Sequence, residues 1–180
     1  SGLIYIDDGV TKTKIDSGFF TPGQEGITFD VPTAQTGTYT YTTVHIDTAG
    51  NRSGFSDPII ISVDRDAPSA ALTYEGDALV RSGDISTLVT FTFSEPMDSV
   101  NVPTIDVLYP DPTGTVRLSG EELVESGNGD DIWTFSIPLD GDDYNTLNGT
   151  FILSVTANDM AGNTISSDNI TGLTTLRLDN

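Results

Sequence analysis

The chain contains no cysteine, which excludes disulfides, thiolate metal sites and thiol nucleophiles. Cationic side chains are scarce: 7 Lys and Arg stand against 27 Asp and Glu, for a formal net charge of −20. Such a surface repels nucleic acid and anionic membrane and attracts cations, so neither nucleic acid nor membrane insertion is expected. His45 is the single histidine, with no second base, nucleophile or metal partner evident for it. No apolar run is long enough to span a bilayer, and no charged-then-apolar leader opens at Ser1, so a signal for export would lie elsewhere. A serine elbow and a Gly-rich phosphate loop are also missing. Carboxylates are plentiful, but glycosidases need two of them across a cleft, and here they fall in loops. No enzyme activity is expected.

What the chain has is punctuation and alternation. Gly and Pro recur at short intervals among many Thr, Val and Ile, with no helical period of useful length, which predicts an all-β sandwich. One loop occurs twice, 112 positions apart, as Asp47-Thr48-Ala49-Gly50-Asn51 and Asp159-Met160-Ala161-Gly162-Asn163. An alternating apolar strand precedes each copy, and each is followed by a strand ending in Val63-Asp64 or Leu178-Asp179. A β-rich unit is therefore present twice, with Val63-Asp64-Arg65-Asp66-Ala67-Pro68 closing one copy and opening the next.

The second copy, 66–180, reads as complete. Strands are expected at 70–74, 88–93, 104–109, 115–124, 132–137, 149–157 and 173–178, the seven of an immunoglobulin-like sandwich. In the first copy, 1–65, Ile27-Thr28-Phe29-Asp30-Val31-Pro32 aligns with Trp133-Thr134-Phe135-Ser136-Ile137-Pro138, and Gly37-Thr38-Tyr39-Thr40-Tyr41 with Gly149-Thr150-Phe151-Ile152-Leu153. Upstream there is room only for a third strand at 3–6 and a fourth at 11–15. The first copy thus holds strands three to seven and lacks its opening two. A half sandwich would expose its inner face, so either the sequence starts within a module, or an upstream segment or partner supplies the absent strands.

The run Gly-Thr-Tyr-Thr-Tyr-Thr-Thr-Val-His-Ile-Asp-Thr-Ala-Gly-Asn from Gly37, the closing Val-Asp and the Ala-Pro that follows resemble the bacterial immunoglobulin-like repeats of giant secreted adhesins and related surface proteins. Phe91-Thr92-Phe93-Ser94-Glu95-Pro96 and Ala157-Asn158-Asp159-Met160-Ala161-Gly162-Asn163 resemble the same group. The resemblance covers nearly the whole chain. It implies tandem modules, neighbouring repeats of one chain, that extend a binding domain away from the cell surface and are often stiffened by calcium between modules. The second copy departs from the first in a longer loop at 139–148, which suggests an added acidic site.

Strand direction places the acids without coordinates. In the second copy Glu95 and Asp98, Asp130 and Asp131, and Asp159 with Asn163 belong to loops at the pole where the chain comes in, and the linker brings Asp64 and Asp66 to it. Two carboxylates about 4 Å apart repel by roughly 4 kcal/mol at an effective dielectric near 20, so a hard cation is the natural partner. Oxygen-only ligands point to calcium before zinc or magnesium. At the outgoing pole Asp111, Asp140, Asp142, Asp143 and Asp179 repeat the pattern, as a weaker site. The plainer alternatives are side-chain turns made by Asp and Asn, with Gly supplying positive φ, or an acidic surface adapted to salt.

His45, aligned with Ala157 on the inward register, reads as a partly buried structural residue. Trp133, Tyr39 and Tyr41 read as core. The function expected is a calcium-stiffened, non-catalytic extender of an exported, extracellular or cell-surface protein. The alternative is a module that binds a carbohydrate or a host or matrix protein through loops such as 139–148.

Overall fold

Val89, Phe91 and Phe93, the alternating apolar residues of the strand expected at 88–93, are at most 4% exposed, while Thr92 between them faces solvent. The pattern recurs along most of the chain, and the computed structural model is all-β. It describes residues 1–18, 35–76, 79–81, 84, 86–108, 116–127, 129–139, 149–172 and 174–179, among which the one helical element is a 3-10 turn at Ser167–Asn169. Two units divide between Arg65 and Asp66.

In the first unit β1 (Gly2–Asp7), β2 (Lys12–Gly18), β3 (Gly37–His45) and β4 (Ile59–Val63) form one antiparallel sheet in the order β2-β1-β3-β4. The fifth strand expected from Ile27 to Pro32 lies outside the described residues. Ile4 and Tyr41, on the face read as inner, are buried, so that face is not bare as a half sandwich would leave it. Ile59, on the same face as its register partner Tyr41, is 57% exposed. Thr42 and Val44, which point to the opposite face, are buried as well. Part of that cover is Phe55, set edge-on to Tyr5 with ring centroids 5.3 Å apart, under the Lys12 ammonium.

The β1–β2 hairpin turns on Asp8. Its Oδ1 accepts the Val10 and Thr11 amides at 2.9 and 2.6 Å, and its Oδ2 accepts the Thr11 hydroxyl at 2.8 Å. The Thr11 amide first, then the Val10 amide and the Thr11 hydroxyl, stabilise the charged form and pull the carboxyl down to about 2. A depressed folded value means that the turn is supported above the unfolded carboxyl range and loses that support as pH falls toward 2. An NMR pH titration is expected to show the Asp8 carboxyl and the Thr11 amide moving together with a midpoint near 2; a midpoint near 4 would mean these bonds do not persist in solution.

The described residues of the second unit form two five-stranded sheets. One runs β10 (Val124–Glu125), β11 (Ile132–Pro138), β7 (Ser86–Phe93), β5 (Ala70–Tyr74), β13 (Ile170–Gly172). The other runs β6 (Leu79–Arg81), β14 (Thr175–Asp179), β12 (Gly149–Thr156), β8 (Thr104–Leu108), β9 (Val116–Glu122). Their inner faces share one core, in which Ala70, Leu72, Phe91 and Trp133 of the first sheet join Ile105, Phe151, Leu153 and Leu176 of the second. Burying each large side chain is worth about 1.5–3 kcal/mol, which makes the unit sandwich-like rather than a stack of loose hairpins. The order β9-β8-β12-β14 matches the first unit's β2-β1-β3-β4, and Gly37↔Val63 and Gly149↔Leu178 open equivalent ladders.

Among the described residues ten strand segments occupy the place of the seven expected, because three strands change sheets. The first continues from β5 into β6, the fourth from β9 into β10 at buried Leu123, and the last from β13 into β14. Two of these changes place chain segments in parallel pairs, β13 beside β5 and β14 beside β6, amid otherwise antiparallel ladders. Gly172, at φ +97°, ends β13 against the backbone of Leu72.

Candidate metal centre

The repeated Asp-x-Ala-Gly-Asn loop folds the same way twice. Asp47 Oδ1 accepts the amides of Ala49 and Asn51 at 2.9 and 2.8 Å, and its Oδ2 accepts Asn51 Nδ2 at 2.8 Å. Asp159 does the same with Ala161 and Asn163, all three at 2.8 Å. The backbone closes identically, with Asp47 N–H donating to Asn51 at 3.0 Å and Asp159 N–H to Asn163 at 3.0 Å. Gly50 and Gly162 take the left-handed turn at φ +88° and +89°, which any side chain would strain. The turn chemistry of the residues is thus satisfied in both loops. Burial separates them: Asp47 is exposed, whereas Asp159 is 1% exposed. The Asn51 side chain, then its amide, lowers the Asp47 carboxyl below its usual range.

Three loops of the second unit meet around Asp159. Met97 bridges Asp159, Asp98 N–H donates to the Asn158 carbonyl at 2.9 Å, and Met97 N–H donates to the Asp130 carbonyl at 2.9 Å. Phe93 N–H reaches the Asp131 carbonyl at 2.8 Å. The incoming chain lies alongside: Ser69 and Ser94 exchange bonds, the Ser69 amide to Ser94 Oγ at 3.0 Å and the Ser94 amide to the Ser69 carbonyl at 2.9 Å. In this setting a carboxylate oxygen of half-buried Glu95 lies within 4.8 Å of one of Asp159. Two negative charges at that distance repel by roughly 3 kcal/mol at an effective dielectric near 20. Asp159 Oδ2 accepts one hydrogen bond and keeps a further lone pair for a cation.

The remaining described acids of the second unit are placed less closely. Among the described acids of the second unit, no third carboxylate lies within that distance of both Glu95 and Asp159. Asp66 is exposed, three residues ahead of Ser69. Asp64, in the first unit, is exposed and two residues before Asp66. Asp130 and Asp131 are half-buried, and the Asp130 carbonyl also accepts the Trp133 indole N–H at 2.8 Å, with the residue in the left-handed region at φ 56°. Asn163 is half-buried, and its amide nitrogen donates to Asp159. Asp140 and Asp142 lie outside the described residues, as do Asp111 and Asp143, and Asp179 is described only as the last residue of β14.

Two features were not foreseen in the sequence. Asn101 holds Asp98 Oδ2 at 2.6 Å while the Val100 amide holds Oδ1 at 2.8 Å, and Asn101 chiefly lowers that carboxyl. The spacing Asp-x-x-Asn was the available signal. His45 is exposed rather than partly buried. It ends β3 opposite Gly2, its amide donates to Ser53 Oγ at 2.9 Å, and its register equivalent Ala157 alone is buried, at 2%.

Compared with protein-family models and with curated proteins, the chain matches none.

Proposed function

We propose that the chain is a non-catalytic extender segment of an exported bacterial surface protein or adhesin, built from two tandem immunoglobulin-like modules, with calcium at the linker restraining the angle between them. The observation that carries this reading is the Glu95–Asp159 carboxylate pair, one member 1% exposed, at the pole where the chain runs into the second unit. Asp66 and Asp64 are tethered within a few residues of that pole, and two residues of extended chain span at most about 7 Å. Carboxylates and amide oxygens, with no His or Cys, suit the six to eight oxygen ligands of calcium.

The mechanism is linkage. A cation that binds only the docked arrangement stabilises it by about 2.7 kcal/mol at a hundredfold excess over Kd, and extracellular calcium modules bind at about 0.1–1 mM. Titrating calcium is expected to raise the melting temperature and to narrow the shape distribution in small-angle scattering. Asp64→Ala/Asp159→Ala should abolish the narrowing. Scattering that ignores both calcium and chelator would overturn the reading and leave the acids as salt adaptation.

A further inference from the structure

We propose that the Asp57–Pro58 peptide bond is a self-cleavage site, at which the chain parts just ahead of β4 without a protease. This goes beyond the extender reading and rests on it only for its purpose. The residues before the bond are held against the end of β3. Ser56 N–H donates to the Thr43 carbonyl at 2.9 Å, and Ser56 Oγ accepts the Thr43 amide at 3.0 Å. So fixed, the Ser56 hydroxyl donates to the Asp57 carbonyl oxygen at 2.8 Å, and that carbonyl belongs to the bond in question. Ser53 is held in the same way by His45 and donates to the Gly54 carbonyl at 2.7 Å, but glycine brings no carboxyl to it.

At Asp57 the nucleophile is the residue's own side chain. A carboxyl oxygen attacking the Asp57 carbonyl carbon closes a five-membered ring, so a side-chain rotation brings the reacting groups together. Asp57 is exposed, and no packing opposes that rotation. Negative charge gathers on the carbonyl oxygen as the ring closes, where the Ser56 hydroxyl already points. The new C–O bond replaces the C–N bond: the Pro58 nitrogen takes the carboxyl proton and leaves as a secondary amine, and a cyclic anhydride remains. Water opens the anhydride, which restores the Asp57 side-chain carboxyl and leaves a second carboxyl as the new chain end. Pro58 directs the chemistry: it has no N–H, so its nitrogen cannot attack the Asp57 side chain in the competing succinimide reaction. After the cut β4 stays joined to the second unit and holds the first through the ladder of Ile59–Val63 with Gly37–Tyr41. A covalent join thereby becomes one that loss of a single strand can undo, which releases the part of the surface protein ahead of it.

The test follows the full chain by intact mass in mildly acidic and in neutral buffer, with protease inhibitors present. Products 1–57 and 58–180 are expected, formed at a first-order rate that is independent of protein concentration and faster in acid, because the step uses the carboxyl proton. Asp111-Pro112 is the same dipeptide and serves as the internal reference. Cleavage at Asp57 should outpace cleavage there by about tenfold, the worth of one added hydrogen bond. Ser56→Ala should erase that advantage and Ser56→Thr should keep it, while Asp57→Ala should stop the cut at this position alone. In urea, where β3 no longer holds Ser56, the two bonds should break alike. No cleavage at Asp57, an advantage that survives urea, or one that Ser56→Ala leaves intact would overturn the site. Calcium-dependent scattering is measured on the Asp57→Ala chain, so the extender reading stands or falls on its own.

Discussion

Gly172→Ala is expected to lower the stability of the second unit by about 3 kcal/mol or more, a large part of the roughly 5–15 kcal/mol that holds a domain folded. Two costs coincide at this residue. At φ +97° an L side chain is strained by about 1–3 kcal/mol, and a Cβ built there would meet the Leu72 carbonyl oxygen at 2.3 Å, with the Leu72 carbonyl carbon and nitrogen both at 3.3 Å. These are backbone atoms of a buried strand, so no rotamer can yield, and relief requires β13 to leave β5. Gly162→Ala isolates the first cost, because φ is +89° there but nothing lies within 4 Å of the added carbon; about 1 kcal/mol is expected. Trp133 is the only tryptophan and lies in the core of this unit, so its fluorescence in a urea titration reads both variants directly. Equal midpoints for the two would mean that the close approach of Gly172 to Leu72 is not kept in solution.

Asp159→Ala should cost about 3 kcal/mol and Asp47→Ala about 1 kcal/mol, although the two residues accept the same three hydrogen bonds. In the second unit the change strands the amides of Ala161 and Asn163 and the Asn163 side chain where the carboxylate is 1% exposed. Buried donors that lose a charged acceptor keep their full desolvation cost. At exposed Asp47 water takes the place of the lost oxygen. Hydrogen exchange is the suitable measurement: protection at Ala161 and Asn163 should fall far more in the one variant than protection at Ala49 and Asn51 in the other. Similar losses would remove burial as the difference between the loops.

The comparison also marks what the sequence could convey. Alternation at Val89, Phe91 and Phe93 and the repeated Asp-x-Ala-Gly-Asn loop are local patterns, and local patterns yielded the β class, most strand positions and the turn chemistry. Changes of sheet are not local. A period of two reports which side of a strand is apolar, but it is silent on which sheet the strand joins, so β6, β10 and β13 were not visible as separate segments. Exposure at His45 was hidden for a related reason: its register matched that of Ala157, but the sequence does not say what covers a strand end. The pairing of Glu95 with Asp159 was legible as a shared pole, because strand direction fixes which loops gather there. Which acids of that pole approach closest depends on backbone anchors such as the Asp130 carbonyl, which composition does not reveal.

The contact between Ala70 and Ile170 also sets the order in which this part of the chain acquires its structure. Residues a hundred positions apart must meet before the first strand has its outer neighbour, so the second unit has a high contact order and is expected to fold slowly for its size. During synthesis its opening strand stays without that neighbour until the last dozen residues have emerged. Such a unit cannot close in the order of its sequence; it becomes whole only once Ile170–Gly172 reach β5.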